Sequence, residues 1–289
     1  IVGTCLTTYL AIVVSGQASA LSLASAVLIP AVLMGVIGLV DDIKKLSPWP
    51  RFIAQNLFGL VIAVILIATR TLGSPTGITI IDVAITTLWI VGITNSINFF
   101  DNVDGGASGT VAISSLFLFF LALQGGQYAI AALSLVLTGA TTGFLLWNKP
   151  PARIYMGDAG ALFLGILIAT LTLRFDPNPI NLSASFALPI LLLAVPILDT
   201  TVAVISRARR RISPFQGGQD HLSHRLMRAG LSKRQAVLSL WIISAFYCLI
   251  AIVISNAPFD LERVLTGIAG IIWLLMLALF LRTPDTAKD

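Results

Sequence analysis

Residues 95–109 read Asn95-Ser96-Ile97-Asn98-Phe99-Phe100-Asp101-Asn102-Val103-Asp104-Gly105-Gly106-Ala107-Ser108-Gly109, and apolar sequence runs in and out on either side. Charged residues make up only 11% of the chain, so two aspartates three apart are a costly local choice. The spacing Asp-x-x-Asp predicts both carboxylates on one side of a helical turn or tight loop. Gly105 and Gly106 open backbone torsions closed to other residues and let a ligand approach the main chain. One reading is a polar turn between two membrane helices. The other is an active-site loop that meets a nucleotide or a metal.

The sequence around this loop decides the fold class. Of its 289 residues 57% are hydrophobic, and the mean hydropathy is +0.95. A soluble domain with that balance could not cover its surface with charge. Apolar runs of roughly 17–25 residues mark bilayer-crossing helices, and no short alternating segments of a β-barrel are visible. The prediction is an all-α polytopic membrane protein, a single integral-membrane domain over residues 1–289. About ten spans are expected: 1–15, 21–40, 52–69, 81–99, 107–123, 128–147, 159–173, 184–205, 236–255 and 264–281. Pro189 and Pro196 lie inside the eighth; prolines are tolerated there when neighbours satisfy the freed backbone groups. Cys5 and Cys248 fall in apolar runs without redox or metal spacing. No transit or separable signal peptide is visible. The chain opens on Ile1 rather than Met, and a further N-terminal piece is expected ahead of it.

Ten spans sort the loops onto two sides. Turns fall at Gly73–Gly77 and at 176–179 on one side. The loops 41–51, 101–106, 148–158 and 206–235 and the tail fall on the other. That second set, which also carries every motif, holds all 18 lysines and arginines except Arg70, Arg174 and Arg263; Lys288 in the tail belongs to it. Basic loops mark the cytoplasmic side. The expected active site is therefore on the cytoplasmic face.

Several constellations on that face suit phosphate chemistry. Asp41-Asp42 ends the second span, where helix C-termini disfavour negative charge and a cationic partner is needed. Asp158 stands between Gly157 and Gly160 at a helix start, as a cap or as a ligand. Tyr155 is placed to stack on a base or to lie in the interface belt. Asp199 is an ionisable group within an apolar run, a functional candidate by default or a residue bonded to Thr or backbone. Arg207-Ala-Arg209-Arg210-Arg211 is most simply a topology anchor. The chain's two histidines, His221 and His224, come three apart with Arg225 and Arg228 nearby, which suits an anionic group such as a diphosphate. Carboxylates hold Mg²⁺, and basic groups neutralise the phosphate charge that remains.

Taken in order, Gly38-Leu-Val-Asp41-Asp42, Asn95-Ser-Ile-Asn98-Phe-Phe-Asp101-Asn-Val-Asp104-Gly105, Met156-Gly157-Asp158-Ala-Gly160 and His221-Leu-Ser-His224-Arg225-Leu226 resemble the polyprenyl-phosphate N-acetylhexosamine-1-phosphate transferases. The histidine loop is more similar to the bacterial GlcNAc-1-phosphate branch than to the related phospho-MurNAc-pentapeptide translocase. The resemblance implies transfer of a sugar 1-phosphate from a UDP-N-acetylhexosamine such as UDP-GlcNAc to undecaprenyl phosphate. UMP would be released, as the first membrane step of cell-envelope glycan synthesis such as lipopolysaccharide or teichoic acid. It implies Mg²⁺, with Mn²⁺ as a substitute, on Asp158 and Asp42. It gives catalytic roles to Asp41, Asp42, Asp101 and Asp104, and substrate contacts to Asn98, Asp101, Asp104, Tyr155, His221, His224 and Arg225. The implied setting is the bacterial plasma membrane, with room for a homodimer and no nucleic acid. Lys44-Lys45 and Ser223 depart from the family pattern, and the family's first helix and first cytoplasmic loop would lie ahead of Ile1. The competing class is an ion-coupled secondary transporter, which predicts acids near the bilayer midplane between repeats.

Overall fold

The computed structural model describes residues 1–15, 18–69, 76–176, 182–213 and 217–283, without the side chains of 15, 18–20, 22–23 and 182–185. Arg70, Lys288, most of the turn at 73–77 and residues 177–179 lie outside that description. The described residues form helices and no strands: α1 (Val2–Ser15), α2 (Ala18–Lys44), α3 (Pro48–Ala68), α4 (Thr79–Phe100), α5 (Gly106–Gln124), α6 (Tyr128–Asn148), α7 (Gly157–Arg174), α8 (Leu182–Leu192), α9 (Ala194–Arg209), α10 (Leu222–Arg228), α11 (Lys233–Ser255) and α12 (Phe259–Arg282). By length and composition α2 to α7, α11 and α12 can each cross a bilayer, and α1 is a shorter apolar helix. Mixed apolar sequence on all sides is what a lipid-facing bundle requires. Leu88, Ile80 and Leu275 stay exposed, whereas most of α5 and α7 is buried.

Inside the bundle, polar side chains close their hydrogen bonds locally. Thr94, Thr141 and Thr170 return their hydroxyls to the carbonyls of Ile90, Leu137 and Ile166 at 2.6–2.7 Å, because no water is present to do so.

The eighth apolar segment, expected over 184–205 with two prolines inside it, is broken. It is two helices, α8 and α9, bent by 78° at Leu193. Pro196 has no N–H to give to the Leu192 carbonyl. That carbonyl is taken instead by the Ser114 hydroxyl of α5 at 2.6 Å. The neighbour satisfies the freed group, and the axis turns. The bend aims α9 along its own course toward the polar segment. There α10, a short helix the apolar pattern does not reveal, lies within residues 206–235.

The loops assigned to one side from charge do gather at one end. Contacts run from α3 to α7 through Arg51 and Asp158, from residue 104 to α11 through Lys233, and from α10 to the end of α12 through Arg225 and Phe280. One close approach sets the site. A Cβ on Gly38 would stand 2.5 Å from the Asp158 carbonyl, so only glycine lets α2 touch the start of α7 there.

Candidate active site

Four separate stretches bring carboxylates together at this end. Asp41, in the last turn of α2, accepts the Leu46 N–H at 2.5 Å and pairs with Arg51 Nη1 at 2.7 Å. The same guanidinium also bonds Asp158. Pro48 at the first turn starts α3, which is why Arg51 projects within one turn of the helix start. The other Asp158 oxygen accepts the Asn98 amide at 2.7 Å. Asp42 turns both its oxygens to the start of α7, accepting the N–H of Asp158 at 2.9 Å and of Ala159 at 3.1 Å. It is a helix cap supplied from another helix, favoured by the positive end of the helix dipole. Gly157, at φ +63, is so close to Asp42 that a Cβ would meet its carboxylate at 2.6 Å.

The two aspartates of the opening stretch have different surroundings. Residues 101–105 form turns rather than a helix, the tight loop of the two expected forms, and the Asp104 charge still acts on Asp101. Asp104 accepts the Ala152 N–H at 3.0 Å and pairs with Lys233 at 2.8 Å. Burial raises its carboxyl, but the bonds from Lys233 and Ala152 more than offset this, and its pKa lies below the ordinary value. Asp101 belongs with the first cluster. Burial above all, then the charges of Asp158, Asp42 and Asp104, push its carboxyl up to about 7. The loop is held in place by Asn148, whose Oδ1 accepts the Gly105 N–H and the Ser108 hydroxyl and whose amide donates to Ile154. Trp241 donates to the Gly105 carbonyl at 3.0 Å from the other side.

The histidine loop is built on a buried network. His221 lies 2.7 Å from Asp199 through Nδ1 and 3.2 Å from Arg207 through Nε2. Arg207 grips Asp220 with two bonds at 2.9 and 2.8 Å, and Arg210 adds a third at 2.6 Å. Burial raises the Asp220 carboxyl, and Arg207 then draws it below the usual range. His224 is half-buried. Burial first, then the neighbouring His221 and Arg228, hold its imidazole below its ordinary pKa, so it favours the neutral form. Arg225 does not reach the cluster that the motif suggests. It is 1% exposed and donates to the carbonyls of Asp220, Phe280 and Thr283 and to the Ser206 hydroxyl, closing the end of α12. Motif adjacency does not fix side-chain direction, and here the guanidinium turns inward. Tyr155 is 77% exposed.

Phe99 joins the two halves. Its ring lies edge-on to His221 at 6.4 Å and beneath the Arg207 guanidinium at 5.4 Å. It also helps line a cavity of about 30 Å³ with Arg51, Gln55, Asn95 and Asn98. A crevice of about 270 Å³ opens between α1, α6 and α7, with Ile1, Phe144, Met156, Ala159, Gly160 and Phe163 in its wall.

Sequence reasoning missed Arg51, Asn148 and Asp220. For Arg51 there was a signal, because acids at a helix C-terminus demand a nearby cation. Asn148 and Asp220 carry none that a single sequence displays. Among the described residues no three His, Cys, Asp or Glu side chains are arranged to ligate a metal ion.

Comparison with known proteins agrees with the motif resemblance. The profile of glycosyl transferase family 4 matches residues 24–176. The chain is 36% identical to a probable undecaprenyl-phosphate N-acetylglucosaminyl 1-phosphate transferase of Bacillus subtilis, over 81% of this chain and 66% of the relative. It is 32% identical to the decaprenyl-phosphate N-acetylglucosaminephosphotransferase of Mycolicibacterium smegmatis, over 91% and 72% of the two chains. It is 30% identical to a phospho-N-acetylmuramoyl-pentapeptide-transferase of Streptococcus equi subsp. zooepidemicus, over 88% and 80%. The chain thus spans about two thirds of the length of the Bacillus relative.

Proposed function

The chain belongs to glycosyl transferase family 4, and from that premise we propose that it transfers a sugar 1-phosphate from a UDP-linked N-acetylhexosamine to undecaprenyl phosphate, releasing UMP. GlcNAc-1-phosphate is the group to which the names of the Bacillus and Mycolicibacterium relatives point. The carrying observation is the convergence of Asp41, Asp42, Asn98, Asp101 and Asp158 about Arg51 and the start of α7. The acids lie at one end of the bundle rather than at its middle, which disfavours an ion-coupled transporter.

An oxygen of the lipid phosphate attacks the β-phosphorus, and the bond from that phosphorus to the α–β bridging oxygen breaks. UMP leaves with the bridging oxygen, and the lipid keeps the sugar diphosphate. A phosphate monoester has its second pKa at about 6, so the nucleophile is largely deprotonated at neutral pH and needs no dedicated base. The chain's residues therefore act chiefly by position and charge. Asn98 and Arg51 fix the Asp158 carboxylate, Asp42 fixes the helix start beneath it, and the crevice beside Ala159 and Gly160 suits the hydrocarbon of the acceptor.

The donor set fits Mg²⁺, with Mn²⁺ a substitute: hard carboxylate oxygens, of which Mg²⁺ needs only one or two beside phosphate oxygens and water. Asp158 with Asp42 or Asp41 would hold it. When bound it supplies neutralisation of the diphosphate charge. The basic loops support a cytoplasmic orientation of this end, and a cysteine placed at Asn102 should then resist impermeant thiol reagents in intact cells; labelling from outside would reverse the orientation. The substrate is tested with purified protein, undecaprenyl phosphate and a panel of UDP-sugars. Turnover of UDP-N-acetylhexosamines supports the reading, and turnover of none of the panel overturns it.

A further inference from the structure

Asp199 is a fully buried carboxylate that the transfer chemistry above does not use. It lies in α9 just past the bend and is 0% exposed. Its Oδ1 accepts the Leu222 N–H at 2.7 Å, and its Oδ2 lies 2.7 Å from His221 Nδ1. The far side of the ring decides where the proton is. Nε2 faces Arg207 Nη2 at 3.2 Å, and a guanidinium can only donate. Nε2 must therefore accept, and the proton is on Nδ1, directed at Asp199. The other charged or titratable groups about the ring are Asp220, 3.8 Å from Nε2, and His224 of α10; α4 offers only the Phe99 edge.

We propose that Asp199 is a positioning residue, which locks His221 as the neutral Nδ1–H tautomer and so orders the histidine loop against residues 98–104. The order passes along one chain of bonds. Asp199 sets the ring, the ring offers Nε2 to Arg207, and Arg207 stays bidentate on Asp220. Beside it, Ser223 donates to Asn102 Oδ1 at 2.6 Å, which ties α10 to the motif loop. A carboxylate is required because it accepts from Nδ1–H and the Leu222 N–H, with the Asn102 amide a third donor at 3.5 Å on Oδ2. An asparagine would turn its NH₂ toward one of them. Facing the ring, that group reverses the tautomer and sets an Nε2–H against the Arg207 guanidinium.

The tautomer follows from geometry alone; only its kinetic consequence rests on the transferase reading. Because the chain has two histidines, ¹⁵N-histidine labelling of the detergent-solubilised protein gives one set of ring signals for each, assigned with His224→Gln. Wild type should show His221 neutral and protonated on Nδ1 at pH 7. Asp199→Asn should shift it toward Nε2–H and lower kcat at least ten-fold with little change in KM, and Asp199→Glu should restore part of both. A wild-type His221 carrying its proton on Nε2, or both protons at pH 7, overturns the proposal even if the variant does not fold. So does a reversed tautomer with unchanged kcat. Loss of turnover with every donor in wild type would instead strike the transferase reading and leave the tautomer result standing.

Discussion

Replacing Arg51 by glutamine removes the guanidinium that meets Asp41 and Asp158 together. Exposed ion pairs contribute about 0–1 kcal/mol, and breaking a buried one costs about 3–5 kcal/mol. The Arg51, Asp158 and Asp41 side chains are 23%, 25% and 9% exposed, between those limits. The expected loss is therefore about 2 kcal/mol, since glutamine can still donate to one carboxylate but leaves their mutual repulsion unopposed. For a chain of this size that corresponds to a fall in Tm of about 3 °C, read by thermal unfolding in detergent without divalent metal. A double-mutant cycle with Asp158→Asn isolates the pair. Once Asp158 is neutral, Arg51→Gln should cost about 1 kcal/mol less than in the parent. Mg²⁺ should recover more stability in Arg51→Gln than in wild type, because both cations serve the same oxygens. An unchanged Tm for Arg51→Gln, or strict additivity in the cycle, would refute the assignment of Arg51 as the counter-charge of this cluster.

Asp158→Asn keeps the volume and the Asn98 neighbour but loses the charge; turnover should fall at least 100-fold with the protein still folded, as assayed by UMP release and by gel filtration. Gly38→Ala places a methyl 2.5 Å from the Asp158 carbonyl; separating α2 from α7 should cost about 1–3 kcal/mol and reduce activity, both measurable on the purified variant. The pH dependence of stability has a definite sign. Asp104 and Asp220 have folded pKa values below their unfolded ones, so the stability they add is present above the unfolded carboxylate pKa and is lost as pH falls through the folded value. Asp101, raised to about 7, acts oppositely and costs stability as pH rises from the unfolded value toward 7. Asp101→Asn should therefore flatten the decline between about pH 4 and 7 in thermal scans.

Much of this architecture was legible because a bilayer imposes a strong rule on sequence. The ten apolar segments correspond to α1 to α7, the α8–α9 pair, α11 and α12, and the basic loops foretold which ends meet. The bend at Leu193 was not legible, since a proline within a span is compatible with a straight helix or a broken one. Which outcome holds depends on Ser114, 78 residues from Leu192 in sequence. The spacing of Asp101 and Asp104 suits a helical turn or a tight loop, and the sequence does not show that the loop hands Asp104 to Lys233 and Ala152. Asp199 stood out as an acid in an apolar run, but its partner His221 lies 22 residues on, beyond any local periodicity. Arg225 shows the reverse failure: its place in the motif was visible, and its inward direction was not.

The proposed reaction breaks a phosphoanhydride rather than a glycosidic bond. A UDP-N-acetylhexosamine labelled on both phosphorus atoms, incubated with the enzyme and undecaprenyl phosphate, distinguishes the two. Phosphoanhydride cleavage gives UMP bearing one label, with the other carried on the sugar into the lipid fraction. Doubly labelled UDP as the primary product, with an unlabelled sugar on the lipid, would contradict it.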